Sequence, residues 1–294
     1  MAENKYVFMT DSDSDLPYQY VDELGLSMVY MPYMVDGKEY LDDLGRGGKQ
    51  KEYYDNMRNG AAPVTSLLPT AVYVDYFEPC FQGGMDILFL AFSSQLSSTI
   101  HNIYAAREEL LVKYPERKMI VVDTLSISAP QTILILCAHA MYREGKTMEE
   151  IAQWVEVNKL RTHAWITVDD LKYLRRGGRI SAVAATMGTV LDLKPIIVLN
   201  REGKLVSVDK IQGRKRALRV IADKVVENAD DNTNEKVVIM HADALEDAER
   251  LAVLIRERLP KIKEIEIIFV GPVIGAHCGP GTVAACFLGK ERKA

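Results

Sequence analysis

The stretch Asp86-Ile87-Leu88-Phe89-Leu90-Ala91-Phe92-Ser93-Ser94-Gln95-Leu96-Ser97-Ser98-Thr99-Ile100 runs an apolar strand straight into a hydroxyl cluster and then a helix, and that order decides the fold class. A buried strand delivers the backbone to the carboxyl edge of a sheet. The helix that follows, over about 99–114, offers unpaired N–H groups and the positive end of its dipole at that edge. The serines and Thr99 add small neutral donors, so the turn reads as an anion site. An N-cap role for Ser97 or Ser98 is the simpler account of any single serine. Four hydroxyls within residues 93–98 exceed what a cap needs.

With 294 residues, 48% hydrophobic and 26% charged, the chain can bury a sizeable core and divide into two domains. A net charge of −5 argues against a nucleic-acid partner, because no basic excess exists to displace counterions from phosphates. The N-terminal segment carries no apolar run fit for a secretory signal, and no later run approaches the ~20 apolar residues of a membrane span, so a cytoplasmic protein is expected. Cys80, Cys137, Cys278 and Cys286 lack CxxC or Cys/His ligand spacing and read as free thiols rather than as disulfides or metal ligands.

Strand-like and helix-like runs alternate. Strands are expected over 5–10, 26–35, 86–93 and 118–123, and helices near 17–24 and over 70–82, 99–114, 130–143 and 147–161. Thr147-Met148-Glu149-Glu150 has capping-box spacing, which places a helix start there. A second set follows, with strands over 163–168, 195–200, 204–210, 236–242 and 264–270. Its helices are expected over 169–175, 181–191, 213–229, 245–259 and 280–288. The pattern predicts two α/β domains, 1–160 and 161–294.

Three motifs could carry chemistry. Asp11-Ser12-Asp13-Ser14-Asp15-Leu16-Pro17 follows the first strand, so its carboxylates should share the serine turn's edge, either facing a ligand or forming a turn and N-cap. Arg175-Arg176-Gly177-Gly178-Arg179-Ile180-Ser181 combines glycine turns with arginine forks suited to a carboxylate or phosphate, or is a helix stop before a helix capped at Ser181. Gly275-Ala276-His277-Cys278-Gly279-Pro280-Gly281 places His277 beside the start of the expected helix 280–288, with Pro280 in its first turn. Gly145-Lys146-Thr147 is not a P-loop, because Ala140 stands at the required first glycine and a helix precedes it, and no GxGxxG occurs.

Taken in order with Thr65-Ser66, Asp123-Thr124-Leu125-Ser126 and Leu193-Lys194-Pro195-Ile196, these motifs resemble the DegV family of bacterial fatty-acid-binding proteins over essentially the whole chain. The resemblance implies two α/β domains holding one long-chain fatty acid between them, with its carboxylate presented to a separate fatty acid kinase. The kinase supplies ATP and the acyl phosphate feeds phospholipid synthesis. This chain would then be no enzyme and need no cofactor or metal. Carried over, the resemblance assigns the carboxylate to Thr65, Ser66, Ser93, Ser94, Ser97 and His277, and places Arg176 and Arg179 in a loop near the cavity. Arg214, Lys215 and Arg216 become kinase-docking candidates.

Two other readings have their own motifs. Val7-Phe8-Met9-Thr10-Asp11-Ser12-Asp13 mimics the nucleophile strand of a haloacid-dehalogenase-like Mg²⁺-dependent phosphatase, and Asp169-Asp170 its later carboxylate pair. The hydroxyl turns would equally suit a sensor of another small carboxylate.

Overall fold

In the computed structural model, which describes residues 5–180 and 192–293, β1 (Tyr6–Asp11) lies between two parallel neighbours, β2 (Ser27–Val29) and β6 (Asp86–Ala91). With β7 (Met119–Asp123) they form a four-stranded parallel sheet ordered β2-β1-β6-β7. The side-chain period of two sorts its residues onto opposite faces. Phe8, Leu88 and Leu90 pack in one core with Val21 of α1 (Tyr18–Leu24), Leu134 of α5 (Ser128–Arg143) and Ile151 of α6 (Met148–Asn158). Met9, Ile87 and Phe89 pack in another with Phe77 of α3 (Thr70–Gln82) and Ile103 of α4 (Thr99–Lys113). Both faces being covered, these strands are apolar through their centres, with polar residues confined to their ends. Because β1 sits between β2 and β6, the strand order reverses between β1 and β6. The Asp-rich turn and the serine turn therefore flank the switch point where open α/β sheets bind ligands.

A six-stranded mixed sheet, β10-β9-β8-β13-β11-β12, takes up β8 (Thr162–Thr167), β9 (Leu193–Leu199), β10 (Leu205–Gln212), β11 (Lys236–His241), β12 (Glu264–Phe269) and β13 (Val283–Leu288). One face is covered by α8 (Arg214–Asn228) and α9 (Leu245–Arg258). On the other face α5 touches β8, β11 and β13, and it also reaches β1 of the first sheet. Its apolar residues run most of the way round the helix, as burial between two sheets requires. A small antiparallel sheet of β3 (Pro32–Val35), β4 (Lys38–Leu41) and β5 (Val64–Thr65), together with α2 (Gln50–Arg58), completes the first half.

Several expectations need correction. The expected helix 280–288 is β13, the strand that pairs with both β8 and β11. Its short apolar run shows no alternation because both faces are buried, and such a run does not distinguish strand from helix. The helix of this region is instead α10 (Pro272–Cys278), so His277 stands in a last turn and Pro280 in a loop. The expected strand 26–35 is broken into β2 and β3 of different sheets, and the Met31 N–H at the break goes to the Ser12 hydroxyl at 2.9 Å. The Asp11–Asp15 carboxylates do not cap α1, whose N-cap is Pro17. Helix α2 and strands β4 and β5 are too short and polar for the patterning to show. Thr147 and Glu150 do form the expected capping box. The expected helix 181–191 and its Ser181 cap lie outside the described residues.

Where the two halves meet, the first turn of α5 clasps the Asp-rich turn. Gln131 Nε2 donates to Asp11 at 3.1 Å, Thr132 Oγ1 donates to the Ser14 carbonyl at 2.6 Å, and the Ser128 hydroxyl bonds Asp15. Asp15 also accepts the Gly271 N–H at 2.8 Å from the far half. Further along the same seam, Arg292 is 2% exposed and donates to the carbonyls of Asn200 at 2.7 Å and Lys159 at 2.5 Å.

Asp42, which follows β4, is fully buried, and burial pushes its carboxyl up to about 7. An unfolded aspartate titrates near ~3.9. Between those values the folded chain keeps a proton that the unfolded chain has released, so stability falls as pH rises from about 4 to 7. Asp42→Asn removes that titration while keeping an oxygen for the Leu44 N–H, which Asp42 accepts at 2.9 Å. The variant's melting temperature relative to the parent should be several degrees more favourable at pH 8 than at pH 5. Equal differences at the two pH values in thermal melts would refute the assignment.

Candidate functional site

A cavity of about 190 Å³ lies between the halves. Thr65, Ser66, Phe92, Leu96, Ser97, Ser98 and Thr99 line it from the first half, and Ala164, Ile166, Val168, Ile197, Leu205 and Met240 from the second. Most of the wall is apolar, and the polar groups follow one another in an arc. Thr65 Oγ1 is 2.9 Å from His277 Nε2. The imidazole packs against Gly177, where a Cβ would stand 2.2 Å from Nδ1. The Gly177 carbonyl accepts from Arg179, whose Nε donates to the Leu96 carbonyl at 3.0 Å. Beside Leu96, the Ser97 hydroxyl lies 2.8 Å from Thr99 Oγ1 and accepts the Thr99 N–H at the start of α4.

Burial, reinforced by Arg179 and Arg176, pushes the His277 imidazole down to about 4, so it is neutral at pH 7. Nδ1 is buried with no partner among the described residues, and a buried N–H without an acceptor would carry a desolvation cost. The ring proton is therefore placed on Nε2, which donates to Thr65 Oγ1. That leaves the Thr65 O–H free to donate into the cavity. The arc is thus a set of neutral hydroxyl donors backed by one arginine and by the N-terminus of α4.

Five of the expected site residues, Thr65, Ser66, Ser97, His277 and Arg179, line this cavity. Ser93 and Ser94 do not. The Ser93 hydroxyl donates to the Gly203 carbonyl at 2.8 Å across the seam, and the approach is close enough that a Cβ on Gly203, at φ +85°, would stand 2.5 Å from it. The Ser94 N–H goes to Asp123, and its hydroxyl accepts from the Gln95 side chain. Arg176 stacks on Tyr173 and reaches the carbonyls of Pro63 and Ala276 rather than the cavity. Arg214 is held by Asp247 and the Gly281 carbonyl, a structural anchor rather than a docking group, whereas Lys215 and Arg216 are exposed on α8. Asp11 is fully buried, accepts from the Phe92 N–H and Gln131, and does not line the cavity, so no substrate phosphorus can reach it, and this removes the geometric basis of the phosphatase reading.

Leu67 and Thr282 also line the cavity without having been singled out, as do Asp13, Ser98 and Thr99, which belong to motifs read as candidate ligand sites. For Ser98 and Thr99 the signal was present in the hydroxyl run. For Thr282 it was hidden by the helix expected over 280–288.

A family model described as "Uncharacterised protein, DegV family" matches residues 5–290. A DegV domain-containing protein of Clostridium perfringens is 39% identical over 289 residues, which cover 98% of this chain and 99% of the relative. Among solved structures, a DegV family protein from Thermus thermophilus, described by its fatty acid binding, superposes with a TM-score of 0.87 at 26% identity, covering 97% of this chain and 99% of that one. A fatty acid binding DegV family protein from Streptococcus agalactiae superposes with a TM-score of 0.84 at 28% identity, covering 98% and 100%. The match along nearly the whole chain, in sequence and in fold, makes this chain a member of the DegV family.

Proposed function

We propose that this chain holds one long-chain fatty acid in the cavity between two domains, 1–160 and 161–294, and presents its carboxylate to a separate fatty acid kinase. One observation carries the reading: the arc of neutral donors from Thr65 through His277 to Ser97 opens into an otherwise apolar cavity. The fatty acid binding described for the Thermus and Streptococcus relatives supports it. In the step that follows, a carboxylate oxygen attacks the γ-phosphorus of ATP bound by the kinase. The bond to the β-phosphate oxygen breaks, and acyl phosphate and ADP result. The chain itself contributes binding and orientation, and the acyl phosphate feeds phospholipid synthesis. Lys215 and Arg216 are the exposed cations left for a kinase contact.

Denaturing extraction of the purified protein followed by mass spectrometry should release about one long acyl chain per molecule, since each buried methylene contributes about 0.8 kcal/mol. A protein that is empty and takes up no fatty acid would end this reading, and a different small carboxylate in the extract would favour the sensor.

The cavity also ranks the residues. Ser97→Ala removes a donor worth about 1.5–3 kcal/mol to a charged group, so affinity should fall tenfold or more. Ser94→Ala should leave it within about twofold, because that hydroxyl points elsewhere. Gly177→Ala keeps a backbone angle alanine accepts, φ −73°, yet drives a methyl group into His277, so it should weaken binding by a similar factor and, through the overpacking, lower the melting temperature by several degrees. Equal losses for Ser94→Ala and Ser97→Ala in fatty-acid titrations would show that the arc is not the head-group site.

A further inference from the structure

Asp13 is the one member of the Asp-rich turn that lines the cavity. It is 4% exposed, and among the described residues its Oδ1 has no hydrogen-bond partner and no cation lies within ion-pair distance of it. Its neighbours are provided for differently. Asp11 is bonded by Phe92 and Gln131, Asp15 by Ser128 and Gly271, and Asp42 accepts the Leu44 N–H. The charged groups acting on Asp13 are Asp11 at the end of β1, Asp15 in the same turn, Asp42 after β4 and Arg179 beyond α7 (Lys172–Arg176). Arg179 is already engaged with the Leu96 and Gly177 carbonyls. Arg179 and His277 line the same cavity as Asp13.

A carboxylate in this position would have no donor among the described residues, three buried carboxyls around it that add to the cost of its charge, and an anion opposite it once a fatty acid binds. Among the described residues no cluster of three or more His, Cys, Asp or Glu is placed to hold a metal ion, so a proton is the remaining means of neutralising it. A neutral carboxyl in a mostly apolar cavity needs an acceptor for its O–H, and a bound ligand's carboxylate is a strong one.

We infer that Asp13 works as a neutral acid that donates its O–H to the carboxylate of the bound acyl chain, making it a head-group positioning residue beside Thr65, Ser97 and His277. Burial, with Asp11, Asp42 and Asp15 adding to it, holds the Asp13 carboxyl well above the usual carboxylate range, which agrees with this role. The inference rests on the fatty-acid reading and adds to it that one of the donors is an acid.

The test is an infrared difference spectrum at pH 7, with and without hexadecanoate labelled with ¹³C at its carboxyl carbon, for the parent protein, Asp13→Asn and Asp13→Ala. The label separates the ligand's carboxyl band from the protein's. In the parent, binding should shift the band of a protonated protein carboxyl, and that shift should be missing in both variants. Asp13→Asn keeps a donor and should bind within about threefold of the parent, whereas Asp13→Ala should bind about tenfold or more weakly. If either variant fails to fold, the parent's band still decides, because binding without any shift of a protonated carboxyl overturns the inference. The same shift persisting in Asp13→Asn also overturns it, because the acid would then be Asp11, Asp15 or Asp42. A parent protein that binds neither hexadecanoate nor any other long-chain fatty acid refutes the fatty-acid reading itself, an outcome distinct from binding without the shift.

Discussion

The clasp between the first turn of α5 and the Asp-rich turn after β1 is the contact on which the site depends. Strands of a parallel sheet end with polar backbone that must be satisfied, and here those ends face another half of the molecule rather than water. Thr132 meets that requirement at the Ser14 carbonyl, and from the same helical turn Ser128 and Gln131 bond the Asp15 and Asp11 carboxyls, near the positive end of the α5 dipole. Because the same helix lies against β8, β11 and β13, the orientation of the carboxylates after β1 and the placement of the second sheet are settled together. Asp15, bonded to Ser128 on one side and to Gly271 on the other, joins the N-terminal turn to the segment that leads into α10 and His277.

That linkage explains how residues from distant parts of the sequence form one arc. Thr65 comes from the small sheet and Ser97 from the switch point. Arg179 follows α7, and His277 ends α10. Each is anchored by a backbone group or a close glycine rather than by another charge. The arc therefore keeps its shape without an ion pair that a ligand would have to break. The close packing of His277 on Gly177 excludes water from Nδ1, and the same burial keeps the imidazole neutral and its tautomer defined.

The strand–turn–helix at 86–100 was legible in the sequence because burial and periodicity are local properties, and the capping box at Thr147 because its chemistry is local too. Side-chain direction in a turn was not. Strand residues alternate and helix residues recur, but Ser93, Ser94 and Ser97 occupy a turn without a period, so nothing in the sequence separates the seam hydroxyl from the cavity hydroxyl. His277 was recognised as a candidate, although in the wrong setting. Val283-Ala284-Ala285-Cys286-Phe287-Leu288 owes its strand conformation to β8 and β11 on either side, a tertiary cause that propensity does not record. Asp13 was visible only as one of three aspartates. Its distinct role arises because the turn directs Asp11 and Asp15 into hydrogen bonds and leaves the residue between them lining the cavity.

A site made of neutral donors suits a carboxylate that must remain reactive. A bidentate arginine grip would occupy both oxygens and stabilise the anion against attacking phosphorus. Arg179 instead spends its Nε and one Nη on backbone carbonyls, so only part of its fork is left to the cavity. Under the fatty-acid proposal, hydroxyls from Thr65 and Ser97 each give the ligand a single hydrogen bond, and a carboxylate oxygen with a lone pair left over can still attack. In the proposed reading, affinity then comes mainly from the buried tail and orientation from the arc. That division lets one cavity hold an acyl chain tightly while its carboxylate stays available to a partner enzyme.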